Sequence, residues 1–199
     1  MSIHRTAAKS RLIRKHILQL ARELYLHPQT DTAVSENLRA QFHDITSESV
    51  RNHFIYLADN GLLSLTKKRN SVSVQIRPKG IDVLDGTLSV KGVEPSNPQL
   101  ARLTYKKEIR HGILMYCNTF RDIYNEDAEI HSEFRSSGFS NILIEEVRFH
   151  IWYLFNKGFL ELKTPELAGD RVFMARITAD GVDIIENNST DAGVSNGGE

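Results

Sequence analysis

The sequence predicts a mainly helical α+β protein built as two successive copies of one small unit, and three observations lead there. Residues 50–63, VRNHFIYLADNGLL, lie over residues 147–160, VRFHIWYLFNKGFL, at a constant offset of 97 with seven of fourteen positions identical. Upstream of that block, apolar residues recur at helical spacing and repeat at offset 96: Ile13, Ile17, Leu20 and Leu24 return as Ile109, Ile113, Tyr116 and Phe120, and Val34 and Leu38 as Ile130 and Phe134. Downstream, apolar and polar residues alternate, which is the period of strands. Gly80-Ile81-Asp82-Val83 then returns as Gly181-Val182-Asp183-Ile184 at offset 101, so four extra residues lie between the blocks in the second copy.

Each element of the first copy follows in order. The 4, 3, 4 spacing from Ile13 to Leu24 sets one face of a helix over about residues 10–26, which His27-Pro28 ends because proline disfavours helical geometry in the residue before it. Val34, Leu38 and Phe42 mark a short second helix behind the cap candidates Thr30, Asp31 and Thr32. Thr46 or Ser47 can cap a third helix with Val50, Phe54 and Leu57 facing inward, and Asn60-Gly61 supplies its left-handed stop. Leu63 and Leu65, then Val72, Val74 and Ile76, give two strands joined across the basic tip Lys67-Lys68-Arg69-Asn70-Ser71. Pro78-Lys79-Gly80 opens a short helical turn. The expected division is residues 1–92, a linker over 93–101, residues 102–187, and a disordered Asn-, Gly- and Ser-rich tail over 188–199.

Composition narrows the class. At 199 residues with 40% hydrophobic and 25% charged residues the chain can bury a core in each copy, and disordered or collagen-like chains are excluded. Apolar stretches are too short for a membrane span, and the charged N-terminal segment does not resemble a signal peptide, so a cytoplasmic protein without membrane contact is expected. The single cysteine, Cys117, excludes an intramolecular disulfide and reads as a buried structural thiol. A net charge of zero conceals an asymmetry: residues 1–92 hold 14 Lys+Arg against 8 Asp+Glu, a net +6, and residues 93–199 hold 11 against 17, a net −6. The two copies therefore meet different partners, or each other.

Three helices followed by a two-stranded hairpin is the order of a winged helix-turn-helix domain, and both copies resemble it. Residues 77–84, RPKGIDVL, and 177–185, ITADGVDII, are similar to the segment behind the wing in MarR-type regulators. Residues 80–86 and 90–93, GIDVLDG and VKGV, resemble the C-terminal end of small winged-helix proteins of Mu-like prophages. The resemblance implies two tandem winged-helix domains and binding of double-stranded DNA, with the third helix in the major groove and the wing along the backbone. On that expectation Thr46, Ser47, Arg51 and Asn52 meet phosphates or base edges. Lys67, Lys68 and Arg69 at the wing tip, Arg77 and Lys79 near its base, and Arg5, Lys9 and Arg11, a basic approach to the first helix, add phosphate contacts. The recurrence of Arg51 as Arg148 leaves open that it only braces its helix.

The second copy reads differently. Glu145 and Glu146 stand where phosphate would approach, and the wing tip, Thr164-Pro165-Glu166-Leu167-Ala168-Gly169-Asp170, has lost its basic cluster. Its third helix carries Phe149, Ile151, Trp152, Tyr153 and Phe155, more large apolar groups than one inward stripe holds. Phe149, Trp152, Tyr153 and Phe155 are accordingly expected to form an interface for homodimerisation, for a protein partner or for docking on the first copy, the alternative being that they are the core of a tightly packed tandem unit. No cofactor, metal site or catalytic residue is expected: the eight histidines show no zincin or thiolate spacing, and no phosphate loop or nucleophile elbow occurs. The expected role is a DNA-binding transcriptional regulator of phage or prophage type. The alternatives are a protein-binding scaffold like the winged-helix subunits of chromosome-condensing complexes, and a replication initiator.

Overall fold

The apolar stripe that opens the first copy forms α1 (Ile3–Glu23), which buries Ile13, Ile17 and Leu18. It is followed by β1 (Gln29–Thr30), α2 (Asp31–Leu38), α3 (Ser47–Asp59), β2 (Leu63–Lys68), β3 (Ser71–Ile76) and α4 (Pro78–Asp85). This computed structural model describes residues 3–68, 71–97, 99–167 and 170–195, with residues 3–6, 167 and 170 described by backbone alone. The chain divides into two units, Met1–Pro98 and Gln99–Glu199. The second contains α5 (Leu100–Thr119), β4 (Asn125–Glu126), α6 (Asp127–Ser136), α7 (Ile144–Lys157), β5 (Leu160–Lys163), β6 (Glu166–Leu167), β7 (Asp170–Arg171), β8 (Met174–Ile177) and α8 (Ala179–Ile185). The protein is thus α+β and mainly helical. Among the described residues no helix is long and apolar enough to cross a membrane.

Each unit builds a three-stranded antiparallel sheet of the same order, β1-β3-β2 in the first and β4-β8-β5 in the second. The outer strands β1 and β4 are two residues long, too short to show a period, and the sequence pattern does not reveal them. The four extra residues lengthen the second hairpin by two rungs. Leu160 pairs with Ile177 at its base, and the added rungs pair Glu166 with Arg171 and Leu167 with Asp170 in the same register.

Caps and stops act where the side chains suggest. Thr30 and Thr46 accept the backbone N–H of Ala33 and Ser49, both at 3.2 Å, satisfying donors that the first helical turn leaves over. Gly61 and Gly158 reverse the chain behind α3 and α7 at φ of +72° and +87°, a region side chains with a Cβ rarely enter. Val50, Phe54 and Leu57 are fully buried, as are Val147, Ile151 and Leu154 in the second unit, each contributing about 1.5–3 kcal/mol.

The repeat runs further than the expected boundaries. Thr87 and Leu88 N–H groups donate to the Asp82 carbonyl at 3.0 and 3.2 Å, and Asn188 and Ser189 donate to the Asp183 carbonyl at 2.9 and 3.2 Å. Next, the Gly92 carbonyl accepts from Arg14 Nη1 at 2.9 Å, and the Gly193 carbonyl accepts from Arg110 Nη1 at 2.8 Å. Val93 and Val194 insert beside them at 3% and 0% exposure. Residues 188–195, expected to be disordered, are therefore a packed part of the second unit. Polar composition concealed the single buried valine and the carbonyl an arginine needs. Residues 93–95, the start of the expected linker, likewise pack on α1, with the Glu94 N–H donating to the Arg11 carbonyl at 3.2 Å and Lys15 donating to the Pro95 carbonyl at 3.0 Å.

Candidate nucleic-acid interface

The residues expected to touch DNA fall into two groups once their partners are known. Arg51 is held inside its own unit: its Nε and Nη2 donate to Asp31 Oδ2 at 2.9 and 2.7 Å, and Asp31 is 1% exposed. The second unit repeats the device, with Arg148 Nε donating to Asp127 Oδ2 at 2.5 Å and Asp127 1% exposed. A buried carboxylate without a cation is costly, so Arg51 is committed to the junction of α2 and α3. The bracing role left open by the sequence is the one seen. The signal for Asp31 lay in the repeat, because Asp31 and Asp127 recur together with Arg51 and Arg148.

Four more of the expected contacts are engaged within the first unit. Lys9 Nζ donates to both oxygens of Asp44 at 2.5 and 2.8 Å, and this bond holds the Asp44 carboxyl below its usual pKa. Arg11 approaches Glu94 at 3.9 Å, an exposed and loose pair. The Ser47 hydroxyl lies 3.0 Å from that of Ser35, while Thr46 is occupied as the cap of α3. Arg5 is on α1, its side chain outside the described residues, and Arg69 also lies outside them.

What stays open is the hairpin and its base. Lys67 and Lys68 are exposed at the far end of β2, opposite Val72 and Ser71 on β3. Arg77, the residue before α4, is exposed and docks its backbone N–H on the Leu62 carbonyl at 3.0 Å. Lys79 runs over Gly61 at the corner between α3 and β2. Gly80 makes that corner possible, since a Cβ there would collide with the Leu62 carbonyl oxygen. No carboxylate pairs with these four cations among the described residues. By contrast, the exposed stripe of α3 is Glu48, Asn52, Ile55 and Asp59, so Asn52 is the single residue expected to read bases that faces solvent without a described partner.

On the matching hairpin of the second unit, Arg176 and Lys163 are engaged by neighbouring side chains. On the strand opposite β8, Glu161 pairs with Arg176 at 2.7 Å and accepts from the Tyr124 hydroxyl at 2.6 Å. Lys163 lies 3.8 Å above the Tyr124 ring. Glu161 and Arg176 occupy the rung that Ser64 and Gln75 form in the first unit.

The aromatic residues of α7 are mostly interior. Tyr153 is fully buried in its own unit, with the Arg110 guanidinium 3.9 Å from its ring centre. Trp152 is 7% exposed and stacked with the half-buried Phe149 at 6.3 Å, which leaves Phe155, at 41%, as the exposed member of the four. The expected open aromatic patch is thus replaced by packing. The physical reason at Tyr153 is the C-terminal segment: Arg110 bridges it to the Gly193 carbonyl, and Lys157 anchors Asp191 at 2.8 Å.

Two histidines of the repeat sit beside these arginines. Arg110 Nε donates to His150 Nδ1 at 3.2 Å, so His150 accepts with an unprotonated nitrogen. His53 is driven down to a pKa of about 4 by burial and by the nearby Arg14. Burial pushes the Cys117 thiol up to about 12, which keeps it a protonated packing group. Among the described residues no group of three or more His, Cys, Asp or Glu side chains could hold a metal ion. No family model, curated protein or solved structure matches the chain.

Proposed function

We propose that each unit is a winged helix and that the protein binds double-stranded DNA through the first, acting by occupancy as a transcriptional regulator and not as an enzyme. The observation that carries this reading is the set of cations Lys67, Lys68, Arg77 and Lys79, without a described carboxylate partner, on one hairpin and its base. Phosphate contact of this kind supplies affinity without sequence information. The third helix adds little charge, since Glu48 and Asp59 share its exposed stripe, so any base reading falls to Asn52. The wing leads and the helix follows. Fluorescence anisotropy with random duplex at low salt tests the proposal. Binding that weakens at least tenfold when Lys67, Lys68, Arg77 and Lys79 are all changed to alanine supports it, and absence of duplex binding by the unmodified protein overturns it.

One observation favours a second reading, a protein-binding scaffold. Glu48, Ile55 and Asp59 give α3 an acidic stripe with an exposed isoleucine at its centre, a better match to a basic polypeptide than to a phosphate backbone. Ile55→Asp separates the two: duplex affinity survives it if the wing leads, whereas a scaffold loses its partner.

A further inference from the structure

The second unit has a groove between α5 and α6 with a volume of about 730 Å³, in the range of small-molecule sites. Its floor depends on Gly112. The edge of the Phe134 ring rests against that bare backbone, closer than a Cβ would allow. At the matching place in the first unit stands His16, edge-on to the buried Phe42 with ring centres 5.7 Å apart. Two pairs of rings line the groove: Tyr116 with Phe120, and Phe134 with Phe139, each 5.2 Å between centres. Met115 and Phe120 are 45% and 46% exposed at its mouth.

The charge around this apolar surface has one sign. Glu108 and Glu133 contribute the charged side chains of the lining, alongside the titratable His111, and the described lining contains no lysine or arginine. We propose that this groove binds an apolar organic cation, an aromatic or amphiphilic molecule carrying a quaternary or protonated nitrogen. Aromatic faces attract such a charge, the two carboxylates select its sign, and the apolar floor takes its body. The same field is felt by Tyr116, whose phenol is raised by burial and by Glu129 and Glu133. The site lies wholly within the second unit and stands whether or not the first unit binds DNA.

Tetraphenylphosphonium and tetraphenylborate, alike in size and opposite in charge, test it by calorimetric titration of the full chain. The expected result is saturable binding of the phosphonium, one per chain, with the borate at least tenfold weaker. Glu108→Gln with Glu133→Gln, both at exposed positions, reduces phosphonium affinity about tenfold and leaves thermal unfolding unchanged. Gly112→His abolishes binding of both probes if the chain folds. Equal affinity for the two probes, no saturable phosphonium binding, or full affinity in the double glutamine variant overturns the proposal. So does concentration-dependent dimerisation that Met115→Glu removes, because the groove then belongs to a second copy.

Discussion

The two units share a skeleton and differ in where they place their charge. Both fix α2 or α6 to the following helix through a buried aspartate and an arginine, and both fasten a Gly-Val segment through a second arginine. On the hairpin they part. The first leaves Lys67 and Lys68 open, while the second closes Lys163 over Tyr124 and Arg176 onto Glu161. One backbone plan therefore supports two electrostatic surfaces, with Glu161 and Arg176 replacing Ser64 and Gln75 on a matching rung and the second hairpin four residues longer at its tip.

The largest expected difference lies in the Gly-Val fastening. Arg110 is fully buried, whereas Arg14 is half-buried with an unpartnered Nε, so the second unit depends more on its fastening. Truncation after Asn187 removes Val194 and the Gly193 carbonyl, and should cost the second unit about 3–5 kcal/mol by denaturant unfolding. A loss below about 1 kcal/mol would break this half of the comparison.

The aspartate braces rank next. Asp127 accepts from both Arg148 and the Phe173 N–H, and Arg148 is 22% exposed against 42% for Arg51. Asp127→Asn should therefore destabilise by about 2–3 kcal/mol and Asp31→Asn by about 1–2 kcal/mol, measured as separate unfolding transitions. Equal costs would show that solvent access does not set the strength of the brace.

A smaller effect concerns pH. His53 has its folded pKa lowered from 6.5 to about 4, so the unfolded chain binds the extra proton first. The stability it contributes is whole above pH 6.5 and is lost as pH falls from there toward about 4. His53→Gln should flatten that part of the stability curve in urea titrations, and an unchanged slope would remove His53 as its source.

Much of this plan was legible in the sequence because a repeat multiplies weak signals. The offset of 97 located α3 and α7 together, and Val50, Phe54 and Leu57 declared their inward face by spacing alone. Partners were harder to see. Lys9 and Arg11 look like free cations until folding brings Asp44 and Glu94 beside them from 35 and 83 positions away, which local pattern does not encode. Tyr153 looked surplus to its helix because the segment that buries it reads as a polar tail. Lys67 and Lys68 remained interpretable because a hairpin end is exposed by construction.

The comparison between the hairpins is tested most directly by the salt dependence of duplex affinity in two double variants. Lys67→Ala with Lys68→Ala should lower the slope of log affinity against log salt by about two, one for each phosphate no longer neutralised. Lys163→Ala with Arg176→Ala should leave the slope where it was. Equal reductions in both variants, or none in the first, would contradict the assignment of the two surfaces.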